Sequence, residues 1–224
     1  MKIKTTLIVI FLCAAKPAFS QGFINLNFES AVITLDPSSP YYPYAAYASS
    51  AVPGWTVTGF LGPNEVLYNT ISIGATSVSI FDVDGNGTPP PISGSFSIDL
   101  YGGSTGAAAS ISQSGLVPAS AQTLFFKAKP TTGTLQVFLG GQSLSFFTVS
   151  TGANYNLYAA DISVFANQTQ NLTFSALQGV NNYWEIDDIQ FSSSSVPEPS
   201  TFALSFLGVL FFSWRRWEKQ PAQR

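Results

Sequence analysis

The sequence has no histidine, and its one cysteine, Cys13, lies in an apolar run close to the N-terminus. Without histidine, Ser-His-Asp and Cys-His catalysis are excluded, as are the common zinc sites. Beyond Cys13 no thiol remains to cross-link the chain, so whatever folds there relies on its own core or on an ion. Charge is also scarce, at 9% of residues. Between residues 21 and 196 only Lys127 and Lys129 are basic, against ten carboxylates, a net of −8. Such a surface repels phosphate backbones and excludes nucleic acid as a partner. No uninterrupted apolar run reaches the ~20 residues of an ordinary membrane span, and no helical period appears before the C-terminal tail.

What is present begins with two unlike ends. Lys2 and Lys4 precede an apolar run from Leu7 to Ala15, and Ala18-Phe19-Ser20 places small residues at −3 and −1 of a cut before Gln21. This pattern predicts a helical signal peptide over 1–20. At the other end Ser192 to Ser195 lead into Val196-Pro197-Glu198-Pro199-Ser200-Thr201, an apolar stretch from Phe202 to Trp214, and a basic cluster of Arg215, Arg216, Lys219 and Arg224. Taken as Thr201 to Trp217, the stretch meets the lower limit of about 17 residues for a transmembrane helix. The expected order is a signal peptide (1–20), an exported domain (21–191) and a Ser/Pro linker (192–200). A single transmembrane helix (201–217) and a basic cytoplasmic tail (218–224) follow, with positive charge facing inward.

The tail resembles the PEP-CTERM sorting signal of bacteria that make exopolysaccharide. Pro197-Glu198-Pro199, the apolar segment with Gly208 and the Arg215-Arg216 stop occur in the order that family uses. The resemblance implies an exported protein held in the inner membrane by its tail and processed by an exosortase. Release to the cell surface or the extracellular matrix of a biofilm then follows. The logic is that of other sorting signals, in which a small-residue site, a spacer and an apolar tail are recognised together.

The middle of the chain reads as strands. Ser77-Val78-Ser79-Ile80, Ser97-Ile98-Asp99-Leu100 and Asn171-Leu172-Thr173-Phe174-Ser175-Ala176 alternate, which places one face on a core and the other in water. Further runs are Phe23–Phe28, Trp55–Phe60, Ala107–Gln113, Thr123–Ala128, Leu135–Leu139, Leu144–Val149, Tyr155–Ala159 and Trp184–Phe191, separated by Gly- and Pro-rich turns. About ten short strands with turns between them predict an all-β fold, an antiparallel β-sandwich or jelly roll. Two stretches, Asp36 to Pro53 and Asp82 to Gly94, read as loops; no central strand accommodates Pro89-Pro90-Pro91.

Candidate sites are few. In Trp184-Glu185-Ile186-Asp187-Asp188-Ile189-Gln190-Phe191, strand periodicity sets Asp187 on one face with Ile189 and Phe191. A buried carboxylate needs a cation or several donors beside it, and with two lysines in the domain Ca²⁺ is the expected cation. Glu29, closing Asn25-Leu26-Asn27-Phe28-Glu29, is the expected second ligand. Asp82-Val83-Asp84-Gly85-Asn86-Gly87 matches the first half of an EF-hand loop, but Ser93 stands where the bidentate Glu belongs, which favours a plain turn over a Ca²⁺ loop. The segment Asn25-x-x-Phe28-Glu29, Pro53-Gly54-Trp55 and Ile186-Asp187-Asp188-Ile189 together resemble the galactose-binding-like jelly rolls, many of them carbohydrate-binding modules. That resemblance implies a structural calcium at Glu29 and Asp187. Tyr41, Tyr42, Tyr44, Tyr47 and Tyr183 are candidates for stacking on sugar rings. A glycosidase needs only two carboxylates, and Glu65, Glu185, Asp99, Asp187 and Asp188 are the supply. The shortage of other catalytic groups sets a non-enzymatic structural or binding module first and an exopolysaccharide-binding, lectin-like module second, ahead of a hydrolase.

Overall fold

The computed structural model describes residues 22–85, 89–104, 108–129 and 133–195. The expected signal peptide, the Pro197-Glu198-Pro199 triplet, the tail helix with Arg215 and Arg216, and Asn86 lie outside the described residues. Among the described residues no helix is long and apolar enough to cross a membrane.

The described chain is built from β1 (Ala45–Tyr47), α1 (Ala48–Ala51), β2 (Thr56–Thr58), β3 (Glu65–Tyr68), β4 (Ser77–Asp82), β5 (Phe96–Tyr101) and β6 (Ala109–Leu116). Then follow β7 (Thr123–Lys129), β8 (Leu135–Leu139), β9 (Gln142–Ser143), β10 (Phe146–Thr151), β11 (Asn156–Asp161), β12 (Thr169–Ala176) and β13 (Tyr183–Ser192). They form an eight-stranded sheet in the order β1-β3-β4-β5-β13-β7-β11-β10 and a five-stranded sheet in the order β2-β6-β12-β8-β9. Pairing is antiparallel throughout except between β3 and β4, which run parallel.

Alternation explains the sandwich. Val78 and Ile80 of β4, Ile98 and Leu100 of β5, Trp184 and Ile186 of β13, and Leu124 and Phe126 of β7 all point to one buried cluster. The smaller sheet meets them with Ile111 of β6, Leu172 and Phe174 of β12, and Val137 and Leu139 of β8. The Phe126 and Phe174 rings meet edge to face across the interface, their centroids 5.2 Å apart. Each such side chain stabilises the fold by about 1.5–3 kcal/mol when fully removed from water, and the repetition along every strand holds the sheets together without a disulfide.

Three expectations need correction. Phe23–Phe28 is not a strand: Gly22 makes one parallel bridge to Leu116, and positive φ at Asn25 and Phe28 (49° and 58°) turns the backbone away from a ladder. The turn lets Phe28 bury completely and lets the Asn25 carbonyl accept from the Trp55 indole at 3.0 Å. Glu29 therefore follows a turn rather than ending a strand. The Asp36–Pro53 stretch is not all loop, since β1 and α1 form inside it; runs of three or four residues are too short to show a period. Third, the polar face of β4 and β5 is not in water. Ser77, Ser79, Ser97 and Asp99 are all buried, because the connections on that side fold back over the sheet.

Candidate functional site

The outer face of the large sheet carries a polar row running straight across four strands. Register places Ser79 of β4 opposite Asp99 of β5, Asp99 opposite Glu185 of β13, and Glu185 opposite Lys129 of β7. Directly opposed side chains in such a ladder lie within contact range. The neighbouring row puts Ser77 opposite Tyr101 and Tyr101 opposite Tyr183, and the two tyrosine rings stack with centroids 4.5 Å apart.

A cavity of about 390 Å³ opens over these rows. Phe81, Asp99 and Glu185, all nearly inaccessible, form its floor, and Ile71, Pro89, Lys129 and Tyr183 form its sides. Glu185 is fully engaged: Oε1 accepts from Ser97 Oγ at 2.7 Å and Oε2 from Lys129 Nζ at 2.7 Å. Lys129 Nζ also donates to the Pro90 carbonyl at 2.8 Å, which ties the β4–β5 connection to the cavity wall. Asp99 differs. Its Oδ2 is buried without a hydrogen-bond partner, as are Ser77 Oγ and Ser79 Oγ on the adjoining strand. Burial, reinforced by the Glu185 charge, pushes the Asp99 carboxyl up to about 8. Burial also raises Glu185, with the Lys129 ammonium and the Ser97 hydroxyl pulling the other way. The row thus holds the Glu185–Lys129 salt bridge beside an Asp99 that is protonated at neutral pH and offers one O–H donor and spare acceptor capacity.

Further along β13, Asp187 is wholly buried. Its Oδ2 accepts from Ser93 N–H at 3.0 Å and Ser93 Oγ at 3.1 Å, and its Oδ1 from Asp188 N–H at 2.7 Å. These donors are neutral, and burial pushes the Asp187 carboxyl up to about 7. Lys127 pairs instead with Asp188, at 2.6 Å; burial acts upward on Asp188, but the Lys127 ammonium and Ser93 hydroxyl outweigh it and lower its pKa. Glu29 Oε1 accepts from Ser95 N–H at 2.8 Å and Phe96 N–H at 3.0 Å. Glu29 and Asp187 therefore hold one short segment, Ser93 to Phe96, at its two ends. Among the described residues no group of three or more His, Cys, Asp or Glu is arranged to hold a metal ion, so a Ca²⁺ at these two carboxylates would need carbonyl oxygens or waters for the rest of its six to eight ligands.

The EF-hand-like segment is a turn anchor. Asp82 Oδ1 accepts from Asn69 Nδ2 and Asp84 N–H, both at 2.9 Å, and Oδ2 accepts from the Tyr68 hydroxyl. Burial and that bond push Tyr68 up to about 12. The loop tyrosines separate into two kinds. Tyr47 donates to Asp36 Oδ1 at 2.9 Å, and Tyr41 packs edge to face on Phe60 at 6.1 Å. Tyr42 and Tyr44 are 55% and 53% exposed, away from the cavity walls.

Asp99, Glu185 and Tyr183 were visible as isolated candidates in the sequence, whereas Lys129, Ser79 and Tyr101 were not. The available signal was the matched spacing of Lys127-x-Lys129 and Glu185-x-Asp187, which puts both lysines of the domain on one face of a strand and carboxylates on one face of another.

The sequence beyond β13 decides the rest. Residues 195–216 match the PEP-CTERM protein-sorting motif, a span that contains Pro197, Glu198, Pro199, Arg215 and Arg216. The chain carries a PEP-CTERM sorting motif. The motif implies export and a C-terminal sorting signal, and it sits immediately after the last strand of the sandwich. No curated protein matches the sequence. Among solved structures the chain is similar to the enzymatically active domain of bacteriophage CBA120 tailspike protein 4, at 20% identity and TM-score 0.40, covering 62% of this chain and 19% of that one. It is also similar to TmCBM61, solved in complex with beta-1,4-galactotriose, at 14% identity and TM-score 0.43, covering 77% of this chain and 99% of that one. At these values neither likeness transfers a function to the PEP-CTERM chain.

Proposed function

We propose that this protein is an exosortase-processed surface or matrix component whose sandwich is a carbohydrate-binding module, with the cavity over Asp99 and Tyr183 as its binding site. The observation that supports the reading is the buried Asp99, one carboxyl oxygen of which has no partner, lining a cavity together with the Tyr183 ring. Sugars offer hydroxyls to the first and C–H faces to the second. Hydrolysis is the weaker reading, because both oxygens of Glu185 are engaged and a neutral acid alone supplies no nucleophile or base. The test is calorimetric titration of the full-length chain, purified in detergent, with oligosaccharides. Saturable binding lost in Tyr183→Ala supports the site; binding unchanged in that variant, or none to any glycan, defeats it.

The same proposal assigns a structural Ca²⁺ to Glu29 and Asp187. Asp187 is a buried carboxylate with neutral donors alone, and Glu29 grips the far end of the segment that Asp187 holds. The ion would supply the missing positive charge and fix that segment against β13.

A further inference from the structure

Both lysines of the described domain are already committed. Lys127 pairs with Asp188 and Lys129 with Glu185, and Lys129 is further fixed by the Pro90 carbonyl. Asp99 lies in the same register row, lines the same cavity, is 3% exposed, and has no cation or hydroxyl on its Oδ2. The Lys129 charge reaches Asp99 only from beyond Glu185, so a cation in direct contact with Asp99 must come from a ligand. The surroundings also disfavour the opposite sign: the one lysine of the cavity is already paired with Glu185, and the domain carries a net charge of −8, so an anionic glycan finds no free cation and meets long-range repulsion.

We propose that the cavity takes a glycan through a free amino group, with the ammonium of a hexosamine unit lying against Asp99 and the pyranose face on the Tyr183 side. This deepens the carbohydrate-binding reading and rests on it. An N-acetylated sugar presents an amide in place of the charge and loses the charge-assisted bond, about tenfold in affinity.

The chemistry gives a second readout. The titratable groups facing Asp99 are Glu185 and Tyr183 of β13, Tyr101 of its own strand and, beyond Glu185, Lys129 of β7; on β4 its register partner is Ser79 and the cavity-lining residue is Phe81, neither of which carries a charge. In the free protein burial keeps Asp99 protonated well above the ordinary carboxylate range. An arriving ammonium favours the carboxylate, so Asp99 gives up its proton to solvent as the ion pair forms.

The experiment titrates the full-length chain in detergent with a β-1,4-linked glucosamine trimer, its N-acetylated form, a neutral glucose trimer and a galacturonic acid trimer. It is run at pH 6, where the hexosamine amine is protonated, in two buffers of different ionisation enthalpy. The expected result is binding of the amine-bearing trimer about tenfold tighter than the neutral ones, with roughly one proton released per site, and no binding of the uronate. Asp99→Asn, folded as judged by its melting transition, is expected to lose both the preference and the proton release while still binding neutral trimers. Should Asp99→Asn not fold, proton release by the unaltered protein at pH 6 still decides. Equal binding of neutral and amine-bearing trimers without proton release overturns this inference and leaves the carbohydrate site standing. Absence of binding by all four overturns both.

Discussion

The two faces of the eight-stranded sheet are made by alternate residues of the same strands, yet they are solved differently. On the inner face Ile98, Leu100, Ile186 and Phe126 vanish into one apolar cluster, where each contact replaces water with carbon. On the outer face Asp99, Glu185, Ser79 and Ser97 are buried just as deeply, but only some find partners. Glu185 is matched on both oxygens, whereas Asp99 Oδ2 is left bare one strand away. An unpartnered buried group is not confined to the outer face, since Trp184 Nε1 on the inner side also lacks a partner; what sets Asp99 apart is that it lines an open cavity, where a ligand can satisfy it.

The comparison can be broken from either side. The largest effect is expected on the inner face: Phe126→Ala opens a cavity between the sheets and should cost about 3–5 kcal/mol in urea unfolding. A loss below 1 kcal/mol would mean the sheets are not packed through that ring. Next comes the ion assigned to Glu29 and Asp187: saturating Ca²⁺ at a hundred times its Kd should add about 2.7 kcal/mol, seen as a drop in Tm on chelation. A melting curve indifferent to chelator removes the assignment. Lys129→Met leaves Glu185 buried without its counter-charge and should cost about 2 kcal/mol, the lysine being partly exposed; a neutral outcome would show that Ser97 alone satisfies Glu185.

The pH dependence follows from Asp99. Its carboxyl is raised from 3.8 to about 8 in the folded protein, so between those values the folded state binds more protons than the unfolded one. Stability is therefore full below pH 4 as far as this group is concerned and falls as pH rises toward about 8. Asp187, raised to about 7 by burial, acts in the same direction. Asp99→Asn should flatten part of this slope and melt higher than the unaltered protein above pH 8; an unchanged slope would show that Asp99 is ionised throughout. The smallest effect is expected from Tyr42→Ala, whose ring is mostly in solvent: within about 0.5 kcal/mol of the original, by the same unfolding measurement.

Long alternating segments such as Ser97 to Leu100 and Asn171 to Ala176 were legible because burial on one face imposes period two on the sequence. The short elements were not. Ala45–Tyr47 and Glu65–Tyr68 are held by pairing with each other, a long-range fact that no local pattern records. Nor did alternation tell water from a covered polar layer, since serine and aspartate suit both. The role of Asp187 as a holder of Ser93 depends on residues 94 positions apart. Asp99 and Glu185 could be named as carboxylates; that they are direct neighbours required the register of β5 and β13.

The strand β13 has a direction as well as a sequence. Tyr183 and Glu185 at its start belong to the cavity, and Ser192 at its end is followed within three residues by the matched sorting segment. Seven residues of extended chain separate Glu185 from Ser192, about 23 Å at 3.3 Å per residue. The strand thus keeps the cavity residues at one end of the sandwich and the start of the sorting segment at the other. One strand therefore carries two separate duties, and a change that alters the processing of its tail leaves the residues of its head where they are.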